Sequence, residues 1–416
     1  MMEVRKSGFL WAITLLITIF SLSFPAYAKY SGGTGEPNDP YQIATAEDLM
    51  LLGETPEDYD KHFILTADID LDPNLPGRKV FDRAVIAPDV NDDEYWFQGT
   101  AFTGVFNGNN HTISHLTMIG ESYVGLFGQL GDVGDDWLYV AEVKNLGLEV
   151  VDVNGTGGCV GGLVGSLDAG TITDCHVEDG TVSGVWTIGG LVGSNSGQLS
   201  NCYVTINVLG ESSVGGLVGA NREFVKNILI ENCRATGSVE GHHYVGGLVG
   251  KNHWSTIRDC CATSNVTDTS TSHHVARDAG TGGLVGTNHG GIIRRCYSVG
   301  SVAGHRNIGG LVGINHGYYG IKGTIINCYS VGAVTGTDSV GGLVGSNEGD
   351  VRNSFWDVQT SGLTVSDGGT GLTTAEMQTA ETFVGWECDS VWTIDEGADY
   401  PRLFWENMPG ELITKP

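Results

Sequence analysis

Basic residues are scarce in this chain. Its 416 residues include 21 Lys and Arg against 49 Asp and Glu, so the formal net charge is −28 at pH 7. A field of that sign repels nucleic acid and anionic membrane surfaces, and we expect neither as a direct partner. Proline is scarce as well, at 10 residues, whereas glycine reaches 64. Glycine that recurs in register, without a strict triplet and with little proline, excludes collagen and argues against a disordered linker.

Long apolar runs are missing after residue 28. No later run approaches the ~20 residues that a membrane-spanning helix needs. Residues 1–28 read as a secretory signal peptide, because Arg5 and Lys6 precede the apolar run 9–20 and Ala-Tyr-Ala at 26–28 supplies a cleavage pattern. We therefore expect a mature chain that begins at Lys29, has no membrane span after signal cleavage, and is secreted or located on the cell surface. An uncleaved anchor is the alternative.

One pentad dominates the sequence. Gly-Gly-Leu-Val-Gly recurs at intervals of 26 to 36 residues, and a relaxed copy lies at 124–128. Short units of this kind cannot bury an apolar face alone, but stacking one on the next aligns equivalent residues in a continuous core. The seven copies lie at residues 161–165, 189–193, 215–219, 246–250, 282–286, 309–313 and 341–345.

A second landmark follows each pentad. Six of the units carry a cysteine there, usually after Asn or Asp, and the seventh carries Ser354. The short β-type segments between the landmarks have no helical periodicity, so each unit is predicted to contribute three strands. The sequence thus predicts an all-β fold, a parallel β-solenoid (β-helix) with coils of about 27 residues. Longer units would carry loops, at residues 222–227, 268–278 and 318–323.

The two ends of the chain do not repeat. We expect an N-terminal capping region at 29–120, repeat coils of the solenoid at 121–355 and a C-terminal capping region at 356–416. Both caps are predicted to contain short helices, one from Thr45 to Gly53 and one starting at Thr374. The C-terminal cap also carries an aromatic run with Trp386 and Trp392. Capping is expected because the open end of a solenoid exposes unpaired strand edges.

The Gly-Leu-Val-Gly core with its Asn-Cys-Tyr landmark resembles the GLUG repeat family, named for Gly-Leu-(bulky apolar)-Gly. The resemblance covers residues 124–355, and the segments 38–43 and 102–108 resemble the leader of such arrays. GLUG repeats occur in adhesin-like proteins and as accessory parts of IgA-cleaving metallopeptidases. The resemblance therefore implies a secreted or surface-attached bacterial protein. The family has no established catalytic residues, so none carries over.

The nine cysteines do not suggest a disulfide framework. Six of them fall one per unit, and equivalent positions on adjacent parallel strands rarely meet disulfide geometry. We therefore expect a column of buried free thiols rather than disulfides. Cys159, Cys261 and Cys388 lie outside the column, and pairing of Cys159 or Cys388 stays open. The column cysteines are Cys175, Cys202, Cys233, Cys260, Cys296 and Cys328.

Asparagine stands two residues after the pentad in every unit except the first, which has Leu167. Stacked amides hydrogen-bond along the axis of a solenoid, so these residues are predicted to form an asparagine ladder. The next residue is histidine in three consecutive units: His253, His289 and His316. They are the only binding candidates, able in principle to hold a metal or to sense pH. A solvated turn is the favoured interpretation, because no carboxylate or cysteine joins them at ligand spacing.

Familiar catalytic motifs are absent. His-Thr-Ile-Ser-His at 111–115 has zincin spacing but lacks the glutamate base, and no nucleophile elbow or phosphate loop is present. We predict no catalytic residues, no metal site and no required cofactor. Calcium could bind the acidic clusters at 89–94 and 132–136, although such loops are usually just solvated.

The predicted function is noncatalytic. An exported solenoid with flat sides and inserted loops is suited to adhesion, with an extracellular glycan or protein as its partner. The alternative is a polysaccharide lyase or hydrolase on a β-helix scaffold, but no repeated column of Asp, Glu, Lys or Arg is visible. A structural role in a cell-envelope layer is a third possibility.

Overall fold

The computed structural model of the chain describes residues 29–413 apart from 92–95, 134–137, 223–227, 271–277, 384 and 387–390. In the repeat region, strands pair in parallel with the equivalent strand of the next unit. The all-β parallel solenoid expected from the repeats is thereby confirmed. The predicted signal peptide at 1–28 and Cys388 lie outside the described residues.

Three parallel sheets run along the solenoid, here called sheets 1, 2 and 3, with 24, seven and eight strands in the described residues. Sheet 1 comprises Tyr41–Ile43, His62–Leu65, Ile69–Asp70, Val105–Ser114, Thr117–Gly120, Ala141–Gly155, Gly170–Thr173, His176–Ser183, Gln198–Ser200, Tyr203–Leu209, Leu229–Glu231, Arg234–Gly241, Thr256–Arg258, Cys261–Ala262, Asn265–Asp268, Ile292–Arg294, Tyr297–Ser298, Val302–Ala303, Thr324–Ile326, Tyr329–Ser330, Val334–Thr335, Asp350–Arg352, Phe355–Asp357 and Thr370–Leu372. Sheet 2 comprises Gly158–Gly161, Trp186–Gly189, Ser212–Gly215, His243–Gly246, Thr281–Gly282, Arg306–Gly309 and Asp338–Gly341. Sheet 3 comprises Phe127–Leu130, Val164–Leu167, Val192–Asn195, Val218–Arg222, Val249–His253, Val285–His289, Val312–His316 and Val344–Asn347.

The pentad forms the corner between sheets 2 and 3. In one unit Gly189 ends a sheet 2 strand, Val192 begins a sheet 3 strand, and Leu191 lies between them. The Leu191 amide donates to the Leu217 carbonyl at 3.0 Å, so the corner itself is hydrogen-bonded to the next coil. Burial of each such leucine stabilises the fold by about 2 kcal/mol. The pentad leucines make one fully buried interior file: Leu163, Leu191, Leu217, Leu248, Leu284, Leu311 and Leu343.

The first three complete coils contain four strands each and the next three contain five, rather than the predicted three. The extra division lies within sheet 1, between Gly170–Thr173 and His176–Ser183. There the chain bends at Asp174, which has a φ of 53°, and the following Cys175 is fully buried. The Asn-Cys landmark is therefore a bend with a left-handed residue, which Asn and Asp adopt more readily than most residues.

Parallel pairing begins upstream of the repeats. Tyr41–Ile43 pairs with His62–Leu65, which pairs with Val105–Ser114. Helix α1, Ala46–Gly53, follows the first strand and begins with the predicted cap: the Thr45 side chain accepts from the Asp48 amide at 3.1 Å, and the Asp48 carboxylate accepts from the Thr45 amide at 3.1 Å. Its Leu49 and Leu52 are fully buried in the solenoid core.

The C-terminal region has two parts. Thr370–Leu372 adds a last parallel strand to Phe355–Asp357 at the end of the solenoid. The residues after it fold back along the outer face of sheet 1, where the Trp405 indole donates to the Asp259 carbonyl at 2.9 Å. The remaining elements are helices α2 Val358–Ser361 and α3 Thr374–Met377, the antiparallel strands Trp392–Ile394, Arg402–Leu403 and Glu411–Leu412, the 3-10 helices Pro56–Asp58, Ala380–Phe383 and Phe404–Glu406, and the antiparallel pair Asp132–Val133 and Leu138–Tyr139.

Candidate functional site

The predicted asparagine ladder is confirmed and lies at the corner between sheets 3 and 1. Each amide donates to the carbonyl oxygen of the next amide along the axis, for example Asn221 to Asn252 at 2.9 Å and Asn252 to Asn288 at 2.9 Å. The same side chains also close their own turns, as Asn288 does by donating to the Gly291 carbonyl at 2.9 Å. The side-chain amides of these asparagines are fully used in internal hydrogen bonds, which stabilise the corner. The ladder consists of Asn195, Asn221, Asn252, Asn288, Asn315 and Asn347.

The predicted thiol column is present and reduced. All six column cysteines are buried and free. Each thiol donates to the carbonyl two residues earlier, as Cys260 does to Arg258 at 3.0 Å. The hydroxyl of Ser354 makes the same bond to Arg352 at 2.8 Å, which explains why serine can replace cysteine in the last unit. Burial raises the pKa of Cys175 to about 12, so this thiol is inert at neutral pH.

The three histidines of the predicted column are brought together at the same corner. They lie in register on adjacent sheet 3 strands, His253 opposite His289 and His289 opposite His316. The ring centroids of His289 and His316 are 4.1 Å apart and nearly perpendicular, and those of His253 and His289 are 5.7 Å apart. His289 is only 4% exposed. The favoured interpretation of a solvated turn is therefore wrong for His289, because neighbouring rings cover it.

The environment of the column keeps it neutral at physiological pH. Burial lowers the pKa of all three imidazoles, that of His289 to about 3, and the positive charge of Lys251 lowers them further. Asp278 acts in the opposite direction on His289, but more weakly. In the described residues no group of three or more His, Cys, Asp or Glu side chains is placed to hold a metal ion.

Three aromatic residues that the sequence analysis missed complete the site. Trp254 stacks on His253 with ring centroids 4.3 Å apart, and Tyr318 lies 5.0 Å from His253 and 5.4 Å from Trp254. Tyr319 contacts Tyr318 at 4.6 Å and is 84% exposed. The available signal was the Tyr-Tyr pair in the 318–323 insertion, directly after a column histidine. We call the group the corner cluster: His253, Trp254, His289, His316, Tyr318 and Tyr319.

Backbone conformation sets two of these aromatic residues apart. Trp254 has a φ of 58° and Tyr319 a φ of 47°, both left-handed. For a residue with a side chain this conformation costs roughly 1–2 kcal/mol relative to glycine or asparagine. Other bulky residues of the solenoid, such as Thr187 and Tyr244, also have a left-handed conformation, so it does not by itself mark a binding site. The Nε1 atom of Trp254 and the Nε2 atoms of His289 and His316 are also buried without a hydrogen-bond partner.

The remaining predicted candidates do not assemble into a site. His111 and His115 each face a separate carboxylate, Asp68 at 3.0 Å and Asp70 at 2.9 Å, instead of converging. Asp89 from the first acidic cluster accepts from the backbone amides of Val90 and Gln98, both at 2.8 Å, which is a loop-shaping role. Residues 92–95 and 134–137 of the two acidic clusters lie outside the described residues, so calcium binding there stays a prediction.

None of the helices among the described residues has the length and apolar content required to cross a membrane.

This chain matches known proteins both in its repeat motif and in longer stretches of sequence. The sequence model of the GLUG motif matches residues 156–183, 184–209, 210–240, 241–267 and 304–335. Halomucin from Haloquadratum walsbyi is 34% identical over 167 residues, which is 39% of this chain and 2% of halomucin. A protein from Evansella cellulosilytica, provisionally named a Gly-rich membrane protein, is 33% identical over 237 residues, 50% of this chain and 24% of that protein. The chain thus matches only a small part of each relative's length.

One solved structure is similar in outline. It is the crystal structure of a protein from Bacteroides ovatus provisionally named an immunoglobulin A1 protease, with a TM-score of 0.48 and 17% identity, covering 91% of this chain and 96% of that one. A likeness of this degree says nothing about activity.

The matched GLUG segments coincide with the stacked coils that contain Cys175, Cys202, Cys233, Cys260 and Cys328. Residues 156–267 and 304–335 of this chain are therefore GLUG-motif repeats.

Proposed function

We propose that this chain is a noncatalytic solenoid that acts outside the cell or on its surface and binds an extracellular glycan or protein. One relative is named a halomucin and another a membrane protein, and both names fit a location at the cell envelope. The predicted signal peptide at 1–28 points in the same direction.

The observation that carries the proposal is the exposed corner cluster. Most repeated polar residues of the solenoid are used internally, as the asparagine ladder and the buried thiols are. The corner cluster departs from the repeat: Tyr319 projects from an inserted loop and Ile321, in the same loop, is 54% exposed. An inserted loop that exposes aromatic surface on a rigid scaffold is a common design for a binding site.

Carboxylates on the flank of the solenoid have structural partners. Asp259 lies in a buried ion pair with Arg295, with side-chain oxygen and nitrogen atoms 2.5 Å apart, and Glu231 pairs with Arg258 at 2.5 Å. Neither is placed as a free acid or base. A polysaccharide lyase or hydrolase is therefore the less supported hypothesis.

Binding to extracellular material tests the proposal directly. The purified chain is labelled and applied to a glycan array, to immobilised extracellular matrix proteins and to intact cells, with the heat-unfolded chain as control. We expect saturable binding to at least one of them and no release of reducing sugar from neutral or acidic polysaccharides. Absence of binding on all three surfaces contradicts the proposal, and release of reducing sugar replaces it with the enzyme hypothesis.

A further inference from the structure

Trp254 occupies a position that the solenoid itself fills with glycine in the next coil. Gly290 has a φ of 66°, close to the 58° of Trp254. Both amides make the same bond to the coil above, Trp254 to the His289 carbonyl at 3.0 Å and Gly290 to the His316 carbonyl at 2.9 Å. The fold thus requires only a left-handed residue here, which glycine supplies without strain. The turn therefore does not require the tryptophan side chain, which packs over Gly290 of the next coil.

The loop that carries Tyr319 is held rigidly. Tyr318 and Ile321 exchange two backbone hydrogen bonds, at 2.9 and 3.0 Å, around Tyr319 and Gly320. Positive φ values of 47° and 81° at these two residues indicate a tight two-residue hairpin turn of type I′. Tyr319 is therefore fixed at the tip of the turn. A fixed backbone loses little freedom on binding, which favours affinity.

The half-buried ring of Trp254 and the exposed rings of Tyr318 and Tyr319 form one surface across neighbouring coils. The centroids of Trp254 and Tyr319 are 6.1 Å apart, with an angle of 40° between the ring planes, and Tyr318 packs between them and the histidines. Behind the rings, nitrogen atoms of Trp254, His289 and His316 are buried and have no hydrogen-bond partner. Orphaned buried atoms of this kind call for a missing partner, such as a ligand or ordered water.

These features match the chemistry of a sugar ring. A pyranose presents C–H groups on its flat face, which favour the negative face of an aromatic ring, and hydroxyls at its edge, which need hydrogen-bond partners. The net charge of −28 disfavours a polyanion. The local charges are mixed, with Lys251 and Arg222 acting on His253 and with Glu348 and Asp278 acting on His316.

We propose that the corner cluster binds neutral polysaccharide by stacking pyranose rings on Trp254 and Tyr319. This inference rests on the proposed function and specifies its ligand class. The approach of a sugar chain would be from solvent onto the tip of the 318–321 loop, where Tyr319 is 84% exposed.

Affinity electrophoresis of the full chain tests the proposal. Native gels contain soluble β-glucan, arabinoxylan or galactomannan as neutral probes, and polygalacturonate or alginate as acidic ones. The variants are Trp254→Gly and Tyr319→Asn, since glycine and asparagine both tolerate a left-handed backbone. Trp186→Ala is the matched control, because Trp186 is 57% exposed on sheet 2 in an earlier coil.

We expect retardation by at least one neutral probe, weakened at least tenfold in both variants and unchanged in Trp186→Ala. Melting temperatures should stay equal or rise in Trp254→Gly, a result that a purely structural role of Trp254 would not give. Retardation by acidic probes alone, or equal retardation of all variants, overturns the site assignment. If no polysaccharide retards the chain but it binds a protein or cells in the assays above, the sugar proposal falls while the proposed function stands.

Discussion

Asparagine has two different structural roles in the coils. Ladder residues such as Asn252 are fully buried and bonded on both sides, whereas Asn201 and Asn232 lie at the exposed bend before a column cysteine. At the bend their φ values are 55° and 52°, and Asn232 donates to Asn201 at 3.2 Å. The first kind satisfies buried backbone and side-chain groups, and the second permits a left-handed turn. Replacing a ladder asparagine should therefore reduce the stability of the fold much more than replacing an exposed asparagine.

Asn252→Ala tests the ladder. The change removes the bonds to Asn221, Asn288 and the Ser255 carbonyl, and it leaves the partners unsatisfied in the interior. We expect the free energy of unfolding to fall by about 3 kcal/mol, as measured by urea denaturation. The control is Asn154→Ala on an exposed strand position, which should change stability by less than about 0.5 kcal/mol. Equal losses in the two variants would show that the ladder contributes nothing special.

His289 should make stability depend on pH. Its pKa is lowered by burial to about 3 in the folded chain, with His316, Lys251 and His253 lowering it further and Asp278 opposing them. The unfolded chain, with an ordinary pKa of about 6.5, then binds more protons between pH 6.5 and 3. The contribution is present in full above pH 6.5 and is lost as the pH falls, by about 2 kcal/mol at pH 5.

The measurement compares unfolding free energies at pH 7 and pH 5 for the native chain and His289→Gln. The variant should lose less stability on acidification than the native chain. The same substitution at the exposed His305 is the control. A pH dependence that is identical in all three chains would mean that His289 does not stay neutral.

At the scale of the element, the pentad is a corner defined by close backbone approach. A Cβ on Gly247 would lie 2.1 Å from the carbonyl oxygen of Gly283 in the next coil, and a Cβ on Gly246 would lie 2.0 Å from that of Val249. Neither glycine needs a positive φ. Glycine is required here because adjacent coils would otherwise be forced apart at the corner.

Gly247→Ala should therefore be strongly destabilising. We expect a loss of about 3 kcal/mol in unfolding free energy, since the clash is with backbone and cannot be relieved by a side-chain rotation. Gly158→Ala is the matched control, because the nearest atom to its Cβ, the Trp186 carbonyl oxygen, is 3.4 Å away. Thermal melting followed by circular dichroism ranks the two. A Gly247→Ala chain as stable as the control would contradict the close-approach explanation.

At the scale of the whole molecule, the C-terminal region covers one flank of the solenoid as well as its end. The outer column of sheet 1 runs through Tyr203, Arg234, Cys261, Tyr297 and Tyr329 in register. The C-terminal residues bury the second half of this column completely and leave its first half partly exposed. Hydrogen bonds also hold the C-terminal residues on this flank, such as the one that the Tyr297 hydroxyl donates to the Glu406 carboxylate at 2.7 Å.

Trp392→Ala should loosen this cover without unfolding the coils. Trp392 is 1% exposed, with its ring centroid 5.9 Å from that of Tyr329 and 4.7 Å from that of Trp386. Its removal is expected to cost about 3 kcal/mol of packing. Limited proteolysis should then cut within residues 373–413 faster, while the β-type circular dichroism stays the same. Phe404→Ala, at a ring that is 59% exposed, should leave the cleavage rate unchanged.

The repetition of the sequence determined the solenoid. Short units that repeat Leu, Asn and Cys in the same order bury their apolar residues by stacking, so the leucine file, the thiol column and the asparagine ladder were all predictable. Helix α1 was predictable too, because its capping box at Thr45 and Asp48 is local. The division of sheet 1 into separate strands within each coil was missed, because a bend within a sheet leaves only a left-handed Asn or Asp as its mark.

Only the tertiary structure decided what the exceptions to the repeat do. The three histidines were recognised as a column, but Trp254 lies in one coil and Tyr318 in the insertion of another, and no local pattern links them. Packing between distant segments likewise decides that the C-terminal residues cover the flank at Tyr297 and Tyr329. Repeated residues meet their own equivalents in the next coil, so spacing alone places them, whereas unique residues meet whatever the folded chain brings beside them.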